Sequence, residues 1–102
     1  MSGPMGRVHI DRLIHEPARL MLLANLVVVD EADFVYLARR TGLSAGNISS
    51  HMSRLEAAGY VRVEKSFVGK RPRTRYALTA QGRAAFERYR TEVGGLIGGD
   101  GR

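Results

Sequence analysis

The stretch DFVYLARRTGLSAGNISSHMSRLEAAG, Asp33 to Gly59, decides how this chain folds. Asp33 is suited to cap a short helix, along which Phe34, Leu37, Ala38 and Thr41 share an inner face. Gly42 supplies the left-handed backbone that helices favour at their ends. Ser44 is a second capping residue. Leu43 before it and Ile48 four positions beyond it are spaced for a hydrophobic staple, which sets the angle at which the chain enters the next helix. That helix is expected from about Ala45 to Ala58, with Gly59 ending it.

Two short helices joined by Thr41-Gly42-Leu43 form a helix-turn-helix signature, a motif whose second helix enters the DNA major groove. At 100° per residue, Ile48, Met52 and Leu55 point one way and form the core strip. Gly46, Asn47, Ser50, Ser53, Arg54 and Ala57 point the other way. That outer face is small, polar and free of acids. Small residues allow close approach to a groove. Asn reads adenine, Arg reads guanine, and Ser bonds to bases or phosphates. The helix N-terminus, at Ser44 and Ala45, offers free N–H groups to a phosphate.

Downstream the apolar period changes from 3.6 to 2. Valines alternate with charges in Val61-Arg62-Val63-Glu64, and Thr74, Tyr76 and Leu78 share a face. Val68 to Pro72 connects these strands, so the segment reads as a β-hairpin. Lys70, Arg71, Arg73 and Arg75 crowd its tip, as on a wing that tracks the DNA backbone. Arg75 fits the outer strand face equally well.

Upstream, Asp11 to Ile14 reads as a short turn or the start of a helix, with the main helix beginning at Pro17. Leu20, Leu23, Ala24 and Val27 share one face of it, and Met21 and Val28 add a second apolar strip. Thr79 can cap a last helix, in which Phe86, Tyr89, Val93, Leu96 and Ile97 recur until the glycines stop it. The first and last helices carry more apolar surface than one small core needs. Leu13, Met21, Phe86, Tyr89, Val93, Leu96 and Ile97 are therefore the expected dimer interface.

The whole chain has 102 residues, room for one domain, with 44% hydrophobic and 25% charged residues. It contains no cysteine, which excludes disulfides, thiolate metal sites and thiol redox chemistry. The net charge is +6, and it is lopsided. Residues 1–53 hold five basic and five acidic side chains, and residues 54–102 hold eleven and five. Residues 54–75 alone carry seven basic and two acidic side chains, which points to a polyanion partner. The longest apolar run, Leu20 to Val29, is too short to span a bilayer, so no membrane partner is expected and the cytoplasm is the default compartment. No nucleophile elbow or phosphate-cradling loop is present, so no enzyme activity and no cofactor are expected. His9 and His15 lack the convergent ligands a metal needs, and His51 reads as a packing residue. Residues 1–9 and 98–102 are expected to be flexible ends around a domain at 10–97.

Leu43 to His51, followed by Leu55-Glu56-Ala57-Ala58-Gly59-Tyr60-Val61, resembles the recognition helix and first wing strand of small single-domain winged helix-turn-helix transcriptional regulators of the MarR/ArsR/PadR-like set. Thr74-Arg75-Tyr76, Leu78-Thr79 with Gly82, and His15-Glu16-Pro17 with Arg19-Leu20 extend the resemblance over residues 10–97. It implies an α+β winged helix (three helices, a two-stranded hairpin wing and a C-terminal helix) that binds operator DNA as a homodimer. It carries groove contact onto Ser44, Asn47, Ser50 and Arg54, and wing contact onto Lys70, Arg71 and Arg73. The long flanking helices of full-length MarR proteins and the metal-sensing cysteines of ArsR proteins are missing, so neither sensing mode carries over. The sequence leaves room for a small-molecule effector without marking its site. Two other readings stay open: a protein-interaction module, and a non-specific architectural DNA binder.

Overall fold

Asp11 organises the first turn: its Oδ1 accepts from the backbone N–H of Leu13 at 3.0 Å and of Ile14 at 3.4 Å. Its Oδ2 accepts from the Tyr60 hydroxyl at 2.6 Å, which ties this turn to the start of the hairpin and pushes the Tyr60 pKa up. The structure, a computed structural model, describes residues 9–98. The expected loose residues 1–8 and 99–102 lie outside the described residues.

Seven elements follow: α1 (Pro17–Val27), β1 (Ala32–Asp33), α2 (Phe34–Thr41), α3 (Ala45–Ala57), β2 (Val61–Val68), β3 (Arg71–Leu78) and α4 (Ala80–Gly98). Local chemistry sets each boundary. Pro17 occupies the first helical position of α1, and Glu16 caps it by accepting from the Arg19 N–H at 2.8 Å. Asp33 accepts from the Tyr36 N–H at 2.9 Å, and Ser44 from the Asn47 N–H at 3.2 Å, as both caps require. Gly42 ends α2 in the left-handed region at φ 74°.

This is the expected winged-helix arrangement with one addition. The sheet has three strands, in the order β1-β3-β2, all antiparallel. β1 is two residues long and pairs Ala32 with Tyr76 and Asp33 with Arg75. A strand so short shows no alternation, so only its tertiary partner defines it. The hairpin also runs further than expected, to Val68 and from Arg71, which leaves Gly69-Lys70 as the whole turn. α4 runs through Gly94 and Gly95 and ends at Gly98, as expected of a helix that carries Leu96 and Ile97 before glycines stop it.

The core lies where α1, α2, α3, α4 and the sheet meet. Ile14, Leu22, Leu23, Leu26, Leu37, Ile48 and Leu55 have no exposed surface. Burying a side chain of this size stabilises by about 1.5–3 kcal/mol. The expected inner face of α1 needs correction. Ala18, Leu22, Leu23 and Leu26 are buried, whereas Ala24 is exposed and Leu20 and Val27 are half-buried. A helix apolar nearly all round does not reveal its buried side by periodicity, and its neighbours choose it.

The start of α4 is fastened to the end of α3. The Thr79 hydroxyl donates to the Gly59 carbonyl at 2.6 Å and accepts from the Gly82 N–H at 2.9 Å. Thr79 N–H donates to the Tyr60 carbonyl at 3.0 Å. A Cβ at Gly82 would stand 2.0 Å from that same carbonyl oxygen, so only glycine lets α4 cross here. No helix among the described residues is long and apolar enough to cross a membrane.

Candidate nucleic-acid interface

Helix α3 separates its two faces cleanly. Ile48, Met52 and Leu55 are buried to at most 1% exposure, while Ser44, Ala45, Gly46, Asn47, Ser50, Ser53 and Arg54 are all exposed. The expected reading surface is therefore a single solvent-facing strip, anchored from behind by the core. Arg54 has no acidic partner within ion-pair distance among the described residues, so its charge is available to a ligand. Ser44 satisfies the Asn47 N–H, and the N–H groups of Ala45 and Gly46 face outward at the helix start, where the dipole favours an anion.

α3 is also held by polar contacts. Arg19 donates from Nε to the Leu13 carbonyl, and its Nη1 lies 3.1 Å from His51 Nδ1. Glu16 Oε1 lies 4.0 Å from the same nitrogen. His51 is thus engaged with α1, as a packing role requires. The Glu16 carboxyl is held below its ordinary pKa, chiefly by the Arg19 N–H, with the Arg19 guanidinium acting in the same direction.

The hairpin places its cations unequally. Lys70 sits in the turn and Arg71 beside it, both exposed and unpaired among the described residues. Arg73 stays exposed but reaches Asp33 at 3.5 Å. Arg75 departs from the wing-contact expectation. It lies on the central strand between two acids, with Nη2 3.0 Å from Glu64 and Nη1 3.4 Å from Glu31. Its side chain is 28% exposed. Register explains this, since Arg75 pairs with Glu64 across one edge and with Asp33 across the other. Its charge is spent holding the sheet together.

The structure brings α3 and the wing to one side. A groove between them is lined by Ser49, Ser53 and Glu56 from α3 and by Lys65 and Thr74 from the hairpin. Lys65 was absent from the expected site residues. The signal was present, because Val61, Val63 and Lys65 alternate on one strand face. The alternation was followed only over Val61-Arg62-Val63-Glu64, which left Lys65 unweighed. Arg39 and Arg40 in the last turn of α2 also lie outside the expected site residues. Both are exposed, and Arg40 stacks 4.9 Å from the Tyr36 ring centroid.

The expected dimer residues divide. Phe86 and Tyr89 are core residues, 7% and 6% exposed, and Tyr89 also bonds through its hydroxyl to His15 Nδ1 at 2.7 Å. They are removed from the interface set, because α4 uses them to dock on its own domain. Leu13 and Val93 are half-buried, Met21 is 40% exposed, and Leu96 and Ile97 are 52% and 82% exposed. No cluster of metal-ligating side chains occurs among the described residues.

Residues 18–97 match the family described as the winged helix DNA-binding domain. An uncharacterized protein of Methanocaldococcus jannaschii is 32% identical over 82 residues, covering 80% of this chain and 89% of that one. The structure of a transcriptional regulator homologue from Pyrococcus horikoshii superposes with a TM-score of 0.82 at 26% identity, over 93% of this chain and 94% of the other. A MarR-family transcriptional regulator from Silicibacter pomeroyi shares the fold with a TM-score of 0.63 at 24% identity, over 86% of this chain and 61% of that one.

Proposed function

This chain belongs to the winged helix DNA-binding domain family, and on that premise we propose that it is a transcriptional regulator that reads a specific operator as a homodimer. The outer face of α3 carries the proposal. Seven exposed residues without an acid stand opposite a fully buried strip, so the face is rigidly presented to a polyanion. Asn47 and Arg54 would read base edges, Ser50 and Ser53 would support them, and Ser44, Ala45 and Gly46 would hold a phosphate. Lys70, Arg71 and Arg73, joined by Lys65, would supply sequence-independent affinity.

Leu96 and Ile97 at the end of α4 leave a large apolar surface uncovered, with Leu13, Met21 and Val93 as further candidates. Pairing two copies there gives a two-fold molecule, which matches an operator of two inverted half-sites in the cytoplasm.

The test is to let the purified chain select fragments from its own genome, then challenge the complex with excess random duplex. Recovery of an inverted repeat that survives the competitor supports the reading. Capture without sequence preference makes the chain an architectural binder. Failure to hold any duplex makes it a protein-interaction module.

A further inference from the structure

Phe67 is 72% exposed. A lone exposed apolar residue carries no meaning by itself, but the neighbours of this one do. In β2, Val61, Val63, Lys65 and Phe67 alternate on one face, opposite Leu78, Tyr76, Thr74 and Pro72 in β3. Val61 and Tyr76 are core residues, and Lys65 with Thr74 lines the groove against α3. Phe67 and Pro72 form the next rung outward on that face. At about 3.3 Å per residue, Phe67 stands roughly 13 Å beyond Val63, on the hairpin face that lines the groove against α3.

The pairing with Pro72 is favourable for geometric reasons. Gly69 takes φ 65° and no other residue of the turn has positive φ, the pattern of a tight two-residue hairpin turn with glycine first. Such a turn closes on a hydrogen-bonded pair, here Val68 with Arg71. The adjacent Phe67–Pro72 rung is then a non-hydrogen-bonded pair, so proline removes no bond to β2 and its side chain lies close to its partner's. The other edge of β3 is free at this level, since β1 reaches only Arg75 and Tyr76.

Charge identifies the occupant. On the face of Phe67 the outer rungs carry Lys65 and no acid, and Lys70 and Arg71, unpaired among the described residues, stand at the turn beside it. A second copy presenting this same surface would bring the same positive charge and be repelled. An apolar tip framed by cations fits the inside of a polyanion, where sugars and base faces line a groove walled by phosphates. We propose that Phe67, backed by Pro72, is an apolar wedge that the wing presses into the minor groove of bound duplex DNA, parting a base step and bending the duplex. This rests on the DNA-binding reading above and adds a shape-dependent contribution to specificity, because pyrimidine–purine steps open most readily.

The test uses a duplex recovered by the wild-type chain, labelled at its ends with a donor–acceptor dye pair, and the full-length chain with Phe67→Ala, Phe67→Leu or Lys70→Ala. Affinity and end-to-end energy transfer are followed across salt concentrations. Phe67→Ala should bind about tenfold more weakly, as expected for an apolar side chain of this size, lose the bend and keep the wild-type salt slope. Phe67→Leu should retain most of both affinity and bend. Lys70→Ala should keep the bend and lower the slope by about 1.8, counting both protomers of the dimer. Wild-type affinity and bend in Phe67→Ala overturn the wedge and leave the DNA reading standing. A wild-type chain that binds no duplex overturns both. A change in sedimentation of Phe67→Ala with unaltered DNA binding also overturns the wedge and makes Phe67 a contact between copies.

Discussion

Helix α3 and the hairpin beside it are held in opposite ways. α3 inserts Ile48, Met52 and Leu55 into the core and is bonded to α1 through His51. Between Glu64 and Arg75 the hairpin buries no residue at all. It is shaped by its backbone ladder, a tight turn and the ion pairs of Arg73 and Arg75. Their surfaces differ in the same sense. α3 shows small hydrogen-bonding groups and one free arginine, and the wing shows unpaired cations. A reading element needs groups fixed to within a fraction of an ångström, which packing provides. A phosphate-tracking element needs charge and reach, and a segment with few buried contacts opens at low cost.

The largest expected effect tests the packing half of this contrast. Ile48→Ala should destabilise the protein by about 3 kcal/mol, whereas Lys65→Ala on the hairpin should change stability by less than about 0.5 kcal/mol. Urea denaturation of the two variants reads both. Equal losses would show that the wing is as integral to the folded core as α3.

Next comes the division between reading and affinity. Asn47→Ala should weaken binding to the selected site by about 1–3 kcal/mol and leave random duplex nearly unaffected. Competition titrations on both duplexes separate the cases. An equal loss on both would reassign Asn47 to backbone positioning.

Third, Lys70→Ala combined with Arg71→Ala should lower the slope of log affinity against log salt by about 3.6, counting both protomers of the dimer, while Arg75→Ala should lower it far less, because Glu31 and Glu64 already engage that charge. If Arg75→Ala shifts the slope as much per residue, the ion pairs open on DNA and the distinction within the wing is lost.

The smallest effect concerns the junction of α1 with α3. The folded-state pKa of Glu16 is lowered, so its contribution is complete above the ordinary value of 4.5 and declines as pH falls below it. The difference in melting temperature between the wild type and Glu16→Gln should shrink as the solution is acidified from pH 7 through that range. A difference that stays constant would show that the carboxylate charge of Glu16 does not stabilise the fold.

Much of this was legible in the sequence because the signals are local. Asp33, Gly42, Ser44 and Thr79 cap or terminate helices through atoms within a few residues, and all four take the expected roles. The two faces of α3 follow from helical spacing alone. The failures are equally specific. Helix α1 is apolar on several sides, so spacing could not choose Leu22 and Leu26 over Ala24. Phe86 and Tyr89 looked available for a partner until Ala85 and the rest of the domain were seen packed around them. Placing Pro72 in the connection rather than in β3 concealed the rung it forms with Phe67.

By itself the sequence determined a helix-turn-helix followed by a hairpin, and it located the excess positive charge between Arg54 and Arg75. Those properties depend on hydrogen bonds and periodicities that close within one element. Tertiary structure decided which charges are free. Arg71 and Arg75 are four residues apart and alike in composition, yet one stands at the tip and the other lies between Glu31 and Glu64. The hairpin register sets Glu64 opposite Arg75, and the pairing of β1 with β3 brings Glu31 beside it from 44 residues away, which no local rule contains.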